Sequence, residues 1–400
     1  MNRVVITGAG TVNPLAQDVA GTYAALCAGR SAIGTLAFRD VERLSVRIGA
    51  QIRDWRGDAH FTAAEMALLD PFAQYALAAA RQAVAQSGLR FDGALAEEAG
   101  VILGSAGGGL QTSDDNYRAV YQDGKNRVHP LVVPRLMHNA GSAHVAMAFD
   151  LRGPNYTVAS ACASSNHAIG QAFHLVRSGA APVMLAGGTD AMLCFGGVKA
   201  WEGLRVLSET GCRPFSKGRD GMVMGEGAAV FVLEALDHAK ARGAAVLAEV
   251  AGFAMNADAS DIVRPSVAGA VRAMLGALRD AGMPPEQVGY INTHGTGTTL
   301  NDRTEAAAIL QVFGVKPPPV SSTKSMHGHL IGGAGAVELL ACLMALQDGV
   351  IAPTIGFTAP DPDCALDVVP NVARRAKVTA VLSNAFAFGG LNAVLALKSL

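Results

Sequence analysis

The chain has 400 residues, of which 50% are hydrophobic and 16% are charged, so it can bury a large core and has little reason to be disordered. Its 32 basic and 33 acidic residues give a net charge of -1, and no basic tail or charge block indicates a nucleic-acid partner. Six scattered cysteines without paired spacing argue against a disulfide framework and against a structural zinc site.

Patterns typical of export or membrane insertion are missing from the sequence. Residues 1–8 contain an apolar run that is too short for a signal peptide. Elsewhere, apolar residues are interrupted by Gly, Ser or a charge every few positions, and no run approaches the roughly 20 residues of a spanning helix. We therefore predict a cytoplasmic protein without a membrane span.

Short apolar segments alternate with helical segments along the first half of the chain. Between two of the strand candidates, the segment Pro71–Ser87 is apolar at helical spacing. The residues that predict buried strands are 4–6, 100–103, 156–159 and 183–186. This alternation predicts an α/β fold with a mainly parallel or mixed sheet that is covered on both sides.

The second half of the chain repeats part of this plan. Residues 158–162 lead into a helix that ends near Gly179, and residues 320–324 lead through a glycine-rich turn into a helix that ends near Gly349. Two halves of similar plan, meeting near residues 235–250, would explain the repetition.

Three signatures of common enzymes are incomplete or missing. Gly8 and Gly10 follow a strand, but Asn13 stands where a dinucleotide-binding loop has its third glycine. The segment 104–109 lacks the Gly-Lys-Ser/Thr ending of a P-loop. No Gly-x-Ser-x-Gly elbow occurs, which removes the commonest signal of a serine hydrolase.

Cys162 is the first candidate for chemistry. It lies in the segment 160–165, between a predicted strand and a helix of small residues. The unpaired N–H groups and the dipole at a helix N-terminus lower the pKa of a thiol. A single intracellular cysteine is more often a buried small hydrophobic residue, so the nucleophile interpretation needs partners elsewhere in the chain.

Two histidines are the candidate partners. His294 and His329 each follow a predicted strand and are flanked by glycine, which is where α/β proteins place their chemistry. Either one alone is more often a satisfied core histidine. His327 and His329 could also bind a metal, but acidic or cysteine ligands are missing nearby.

Together these segments resemble the β-ketoacyl-acyl-carrier-protein synthases, and among them the type II condensing enzymes. The matching segments are 159–164, 294–298, 324–329 and 386–392, and their order and spacing agree with the family from residue 3 to the C-terminus. The ending, residues 383–394, is similar to that of nodulation-type and other specialised ketosynthases.

The resemblance implies a thiolase-like fold of five layers, αβαβα, made of two pseudo-symmetric halves. Residues 1–240 would form the half that carries the nucleophilic cysteine, and residues 241–400 the half that carries the two histidines. The family is homodimeric, so the segment 135–138 would contribute to the neighbouring subunit's acyl pocket. A ketosynthase heterodimer is the other assembly that the resemblance allows.

The implied reaction is a decarboxylative Claisen condensation with malonyl-acyl carrier protein, in fatty-acid or specialised chain elongation. Cys162 would hold the acyl chain as a thioester, and His294 and His329 would donate hydrogen bonds to the malonyl thioester oxygen. Lys324 would organise the second histidine and pair with Glu338. A metal or dissociable cofactor is not implied, because the carrier protein supplies the phosphopantetheine.

Other residues of the matching segments would contact the substrate. The backbone N–H groups of Phe388 and Cys162 would form an oxyanion hole, with the Phe388 ring as a gate. Thr296 and Thr298 would bind the pantetheine arm, and Phe386 would line the substrate site. Without the resemblance, Phe388 would be taken as core filler and Lys324 as a surface lysine.

Gly107 is the first departure from the family pattern. It stands where type II enzymes commonly carry an isoleucine that narrows the acyl pocket, so we expect a pocket open to long, rigid or unsaturated chains. Trp201, which we also assign to the substrate site, and Phe195 are the residues that could close it instead.

Two other departures concern the carrier protein. Residues 61–70 lack the basic cluster that family members often place against the acidic carrier, whereas Lys125, Arg127 and Arg205 remain at other docking positions. The segment 262–265 lacks a threonine before its proline, which removes one expected pantetheine contact.

Three rival functions are each disfavoured by residues of this chain. A chain-length factor, a non-elongating partner subunit, shares this fold but has lost the nucleophile that Cys162 supplies here. A thiolase commonly uses a second catalytic cysteine near the C-terminus, where this chain has residues 386–390. A binding protein on an inactive condensing scaffold would not need the full set of catalytic residues.

Overall fold

Fourteen strands and fourteen α-helices form the computed structural model, which describes residues 1–400. The strands are β1 (Val4–Val12), β2 (Gly34–Thr35), β3 (Ile48–Gly49), β4 (Gly100–Gly104), β5 (Asn155–Val158), β6 (Val183–Asp190), β7 (Gly227–Ala235), β8 (Ala248–Ala257), β9 (Tyr290–Asn292), β10 (Val320–Ser321), β11 (Val350–Ile351), β12 (Arg374–Arg375), β13 (Ala380–Ala387) and β14 (Leu391–Lys398). The helices are α1 (Val19–Cys27), α2 (Ala63–Met66), α3 (Pro71–Ser87), α4 (Gly93–Glu98), α5 (Leu110–Tyr117), α6 (Val132–Leu136), α7 (Ala140–Phe149), α8 (Ser164–Ser178), α9 (Phe195–Gly203), α10 (Leu236–Ala241), α11 (Val267–Asp280), α12 (Thr299–Phe313), α13 (Lys324–His327) and α14 (Ala334–Asp348).

Ten of the strands follow one another in the order β10-β9-β13-β14-β8-β1-β7-β6-β4-β5. In the first half, β5, β4 and β6 are parallel, and β7 and β1 follow by antiparallel pairing. In the second half, β10, β9 and β13 are parallel, and β14 and β8 follow by antiparallel pairing. The two halves therefore have the same plan, and they are joined where β1 pairs with β8.

The helices complete five layers. Helices α8 and α14 lie between the two halves of the sheet and contact strands of both, α3 and α7 cover the outer face of the first half, and α11 and α12 cover that of the second. This is the predicted thiolase-like αβαβα arrangement, with β5 and α8 in the first half corresponding to β10 and α14 in the second. The division at residues 240/241 stays a prediction.

Helix α3 shows why the first glycines of the chain do not bind a nucleotide. It spans the predicted Pro71–Ser87, with the Asp70 side chain accepting a hydrogen bond from the N–H of Phe72 at its start. Any Cβ at Gly8 or Gly10 of β1 would overlap a backbone carbonyl of this helix. These two glycines therefore serve the close packing of a strand against a helix.

One helical stretch is long and apolar enough to cross a membrane by length and composition alone. It covers Ile331–Asp348, has a mean hydropathy of 1.3 over 18 residues and ends with α14. Because 89% of the stretch is buried inside the molecule, between the two halves of the sheet, its apolar character is that of a core helix.

Candidate active site

Cys162 lies in the turn between β5 and α8, at the end of the parallel strands. Its side chain is buried, and the residue before it, Ala161, has a left-handed φ of 48°. A non-glycine residue in this conformation is uncommon and is held by its surroundings. Here the Ser164 hydroxyl donates to the Ala161 carbonyl and accepts from the N–H of Ser160, which closes the turn beneath the thiol.

The pKa of the Cys162 thiol is raised, whereas its place before a helix predicted a lowered pKa. Burial raises the pKa of Cys162 to about 12, and the nearby Lys324 ammonium only partly offsets this. Desolvation disfavours the thiolate more strongly than the helix N-terminus and the ammonium favour it. Cys162 is therefore a neutral thiol near pH 7, and its proton must leave when it reacts.

His294 follows β9 and His329 follows α13, and the fold brings both rings to Cys162. The two ring centroids are 5.4 Å apart with an interplanar angle of 83°, and one nitrogen of each ring and the Cys162 Sγ all lie within 4.8 Å of one another. Burial, and secondarily the Lys324 ammonium, hold the pKa of both imidazoles well below the usual range. Both rings are therefore neutral near pH 7.

The backbone decides which nitrogen of His329 carries the proton. The N–H of Ile331 donates to Nδ1 of His329 over 3.2 Å, so the neutral ring must carry its proton on Nε2. Nε2 is buried and has no hydrogen-bond partner in the protein. His329 thus offers a free N–H donor at the site of Cys162.

The same contact tests whether the Cys–His–His cluster suits a metal ion. A histidine that ligates a metal donates its other ring N–H to an acceptor. If His329 ligated a metal through Nε2, its Nδ1 would carry the proton and would need an acceptor. Instead Nδ1 accepts a hydrogen bond from the N–H of Ile331. The donor set therefore does not fit a metal ion.

Lys324 and Glu338 form a buried ion pair behind the histidines. Lys324 begins α13 and Glu338 lies in α14, and the exposed fractions of their side chains are 0% and 1%. The family resemblance predicted this pairing. His327, the other histidine of the segment, bonds the Gly328 carbonyl through Nδ1 and the Thr323 hydroxyl through Nε2, so neither of its nitrogens is free for a metal.

Sequence reasoning missed Glu305, which holds the His294 turn. Its carboxylate accepts hydrogen bonds from the N–H groups of His294 (2.9 Å) and Gly295 (2.7 Å), and from the side-chain amide of Asn384 (3.1 Å). Burial raises the pKa of Glu305 to about 7. An acidic residue on the buried face of α12 was the available signal, but its partners lie in another turn and another strand.

A cavity of about 120 Å³ opens at Cys162. It is lined by Cys162, Trp201, Val206, Met222, Val263, Pro265, His294, Thr296, Thr298, Leu300, Asn301, His329, Phe386, Ala387 and Phe388. All predicted substrate and catalytic residues except Lys324, Glu338 and Gly107 are in this set. The Trp201 and Phe388 rings stack across it with centroids 5.9 Å apart.

Gly107 does not line this cavity. A Cβ built on it would lie 2.7 Å from Cγ and 2.9 Å from Sδ of Met192, so the Met192 side chain fills the space that the missing side chain leaves. The expected opening at Gly107 is therefore closed, although by Met192 rather than by Trp201 or Phe195. The cavity is also smaller than the 300–1,000 Å³ typical of small-molecule sites.

Comparisons with known proteins agree with this geometry. The family model "Beta-ketoacyl synthase, N-terminal domain" matches residues 1–239, and "Beta-ketoacyl synthase, C-terminal domain" matches residues 247–358. Nodulation protein E of Rhizobium sp. (strain N33) is 47% identical over 398 residues, covering 99% of both chains. The 3-oxoacyl-[acyl-carrier-protein] synthase 2 of Staphylococcus aureus (strain N315) is 40% identical over 405 residues, covering 99% of this chain and 98% of the relative.

Two solved structures have nearly the same fold. The ishigamide ketosynthase/chain length factor superposes with a TM-score of 0.95 at 36% identity, covering 100% of this chain and 99% of the other. A type II PKS ketosynthase in complex with its acyl-carrier protein superposes with a TM-score of 0.92 at 28% identity, with the same coverage.

Proposed function

This chain belongs to the β-ketoacyl synthase family and is a condensing acyltransferase of the type II kind, and we propose that Cys162, His294 and His329 carry its chemistry. The observation that supports this assignment is the meeting of one thiol and two neutral imidazoles at the wall of a single cavity. The three residues come from the ends of different elements, and a purely structural role would not require them to meet at one cavity.

In the first step the Cys162 sulfur attacks the thioester carbonyl of an acyl-carrier protein. The C–S bond to the protein forms, the C–S bond to the carrier breaks, and the thiol proton passes to the departing pantetheine sulfur. Since Nε2 of His329 already carries a proton, the neutral imidazole of His294 is the base within reach that can relay this proton. The backbone N–H groups of Cys162 and Phe388 would hold the negative oxygen of the tetrahedral intermediate.

In the second step malonyl-acyl carrier protein loses carbon dioxide, and the electron pair of the broken C–C bond forms an enolate. The Nε2–H of His329 and an N–H of His294 would donate to the enolate oxygen, and each such donor is worth roughly 3 kcal/mol. The enolate carbon then attacks the thioester on Cys162. The new C–C bond forms, the C–S bond to Cys162 breaks, and the Cys162 sulfur takes up a proton from solvent, because its own proton left with the first carrier.

The partner that we propose is an acyl carrier protein, whose phosphopantetheine arm would reach Cys162 past Thr296 and Thr298. No further cofactor enters these steps. The cavity mouth also has Val263 and Pro265 in place of the threonine contact expected there. Arg205 lies two residues after α9 ends and directly before Val206 of the cavity lining, and with Lys125 and Arg127 it would meet the acidic carrier.

We further propose a homodimer in the cytoplasm. Strand β5 is one of the two edges of the ten-stranded sheet, and Tyr156 on it is 40% exposed. Next to this edge, α6 and α7 leave Val133, Met137 and Met147 exposed. An unpaired edge beside exposed apolar side chains suits a second copy of the chain.

A second candidate is one subunit of a ketosynthase heterodimer, because a similar structure is a ketosynthase/chain length factor. The thiol of Cys162 and both histidines are present here, so this chain would be the elongating subunit of such a pair.

Intact-mass analysis tests the proposed function. The protein is incubated with acyl-carrier proteins of varied chain length, and then with malonyl-acyl carrier protein. We expect an acyl adduct that Cys162→Ala lacks and that is discharged as a chain two carbons longer. No adduct with any acyl chain would contradict the elongating role and favour the partner-subunit role.

A further inference from the structure

The last residue of β6, Asp190, is a buried carboxylate surrounded by hydrogen-bond donors. Its Oδ1 accepts from the Ser105 hydroxyl (2.8 Å) and the N–H of Gly107 (3.0 Å). Its Oδ2 accepts from the N–H groups of Gly332 (2.7 Å) and Ala106 (3.1 Å). Asp190 is fully buried, so these four donors replace the water that the carboxylate has lost.

These four bonds tie together two segments that are more than 200 residues apart in the chain. Residues 105–107 follow β4, and Gly332 lies in the turn directly after His329. The carbonyl of Gly332 is held from the other side by the hydroxyl of Ser165, which lies in α8, the helix that begins after Cys162. The N–H of Gly332 is therefore fixed by Asp190 at the end of β6, and its carbonyl is fixed by α8, the helix that follows Cys162.

The clamped turn is also the one that orients His329. Ile331 donates its N–H to Nδ1 of His329 and has a left-handed φ of 52°. A β-branched residue in this conformation is strained and persists only where its surroundings hold it. Ile331 is held by its buried side chain and by the Ala334 N–H on its own carbonyl, and the bond from the next N–H, that of Gly332, to Asp190 holds the following peptide.

Close packing leaves little freedom at this point. A Cβ on Gly332 would lie 2.6 Å from Oδ2 of Asp190 and 2.5 Å from the backbone nitrogen of Ala106. A carboxylate also fits in a way that an amide does not, because Asn in place of Asp190 would turn an NH₂ group toward backbone N–H donors.

We propose that Asp190 is a positioning residue for the condensation step: by clamping the turn at Gly332 it keeps the Nε2–H of His329 aimed at the substrate on Cys162. This inference rests on the proposed function. It assigns no contact with substrate to Asp190. Its loss should weaken the step that needs His329 much more than the loading of Cys162.

The test compares acyl loading, condensation and the His329 tautomer in Asp190→Asn. We expect acyl loading of Cys162 within about threefold of wild type by intact mass, and condensation lowered about 100-fold, the loss typical of one misplaced donor. The ¹⁵N signals of the His329 ring should move away from the pattern of an Nε2–H tautomer. If Asp190→Asn does not fold, Ser105→Ala removes one of the four donors to Asp190 and perturbs the same clamp without a new side-chain clash.

Glu234→Gln is the matched control. Glu234 is also a fully buried carboxylate that accepts several hydrogen bonds, from Thr7, His238 and Arg242. Glu234 lies opposite Val183, the first residue of β6. Val183 is seven residues from Asp190, a distance of about 23 Å along the strand at roughly 3.3 Å per residue. We expect it to lower the melting temperature but to leave condensation and the His329 signals unchanged.

Two results would overturn the positioning role. One is equal loss of loading and condensation in Asp190→Asn together with unchanged His329 signals, and the other is full condensation in a folded Asp190→Asn. Failure of the proposed function itself would look different, because then the wild type would not load or condense, while the His329 signals would still report on the clamp.

Discussion

At the level of single residues, the chemistry of the site depends on backbone groups as much as on side chains. The N–H of Ile331 makes His329 a donor through Nε2, and the carboxylate of Glu305 holds the turn of His294 by two backbone N–H groups. Burial keeps both imidazoles neutral, so each ring donates an N–H hydrogen bond to the enolate oxygen while it carries no charge itself. The thiol of Cys162 is neutral for the same reason.

Met192 should set how long an acyl chain the site accepts. Its side chain occupies the space next to Gly107, and the resting cavity of about 120 Å³ has little room for a long chain. We expect Met192→Ala to shift the preference toward longer or bulkier chains, measured as relative loading rates of acyl-carrier proteins by intact mass. Met192→Leu, of similar volume, is the control and should keep the wild-type preference. Unchanged preference in Met192→Ala would show that the chain lies elsewhere.

At the level of elements, a feature can be predicted from the sequence when the residues that cause it are close together in the chain. The start of α3 follows from Asp70 and Pro71, because a capping side chain and a proline at the first position act within a few residues. The ion pair of Lys324 and Glu338 could be predicted from the family motif that the sequence resembles. The filling of the Gly107 site by Met192 could not, because it depends on how the ends of β4 and β6 pack.

The packing of β1 against α3 gives a prediction at this scale. A Cβ at Gly10 would overlap the carbonyl of Ala79, so Gly10→Ala must push the strand and the helix apart. We expect a loss of about 1–3 kcal/mol or more in the free energy of unfolding, measured by urea denaturation. Gly203→Ala is the control, because nothing lies within 4 Å of a Cβ at that position. Equal stability of the two variants would contradict close packing at Gly10.

At the level of the whole molecule, the same plan appears twice, but the chemistry is divided unequally between its copies. The turn after β5 carries the thiol, whereas the turns after β9 and α13 carry the two histidines. The sequence repetition predicted the two halves because strand and helix periodicity is visible along the chain. The repetition could not predict the clamp at Asp190, because the clamp joins the strand ends of the first half to a turn of the second half.

Burying so many carboxylates has a consequence for the stability of the whole molecule. Burial raises the pKa of Glu226 to about 8 and that of Glu305 to about 7, above the usual 4.5. The folded state therefore binds these protons more tightly than the unfolded state, so the stability they contribute falls as the pH rises from about 4.5 and is fully lost once the pH has passed 7 and 8. The buried histidines act in the opposite direction, but only below about pH 6.5, their usual pKa.

Glu226→Gln isolates one part of this effect. Oε1 of Glu226 accepts the N–H of Ile52 over 2.9 Å, a bond that the amide oxygen of glutamine can keep, while Oε2 has no partner. Between pH 7 and 8 we expect the wild type to lose on the order of 1 kcal/mol of unfolding free energy relative to Glu226→Gln, because the variant has no proton to release. Urea denaturation at fixed protein concentration, from pH 7 to pH 9, measures the difference. Parallel pH profiles for the two proteins would mean that Glu226 is already ionised in the fold at pH 7.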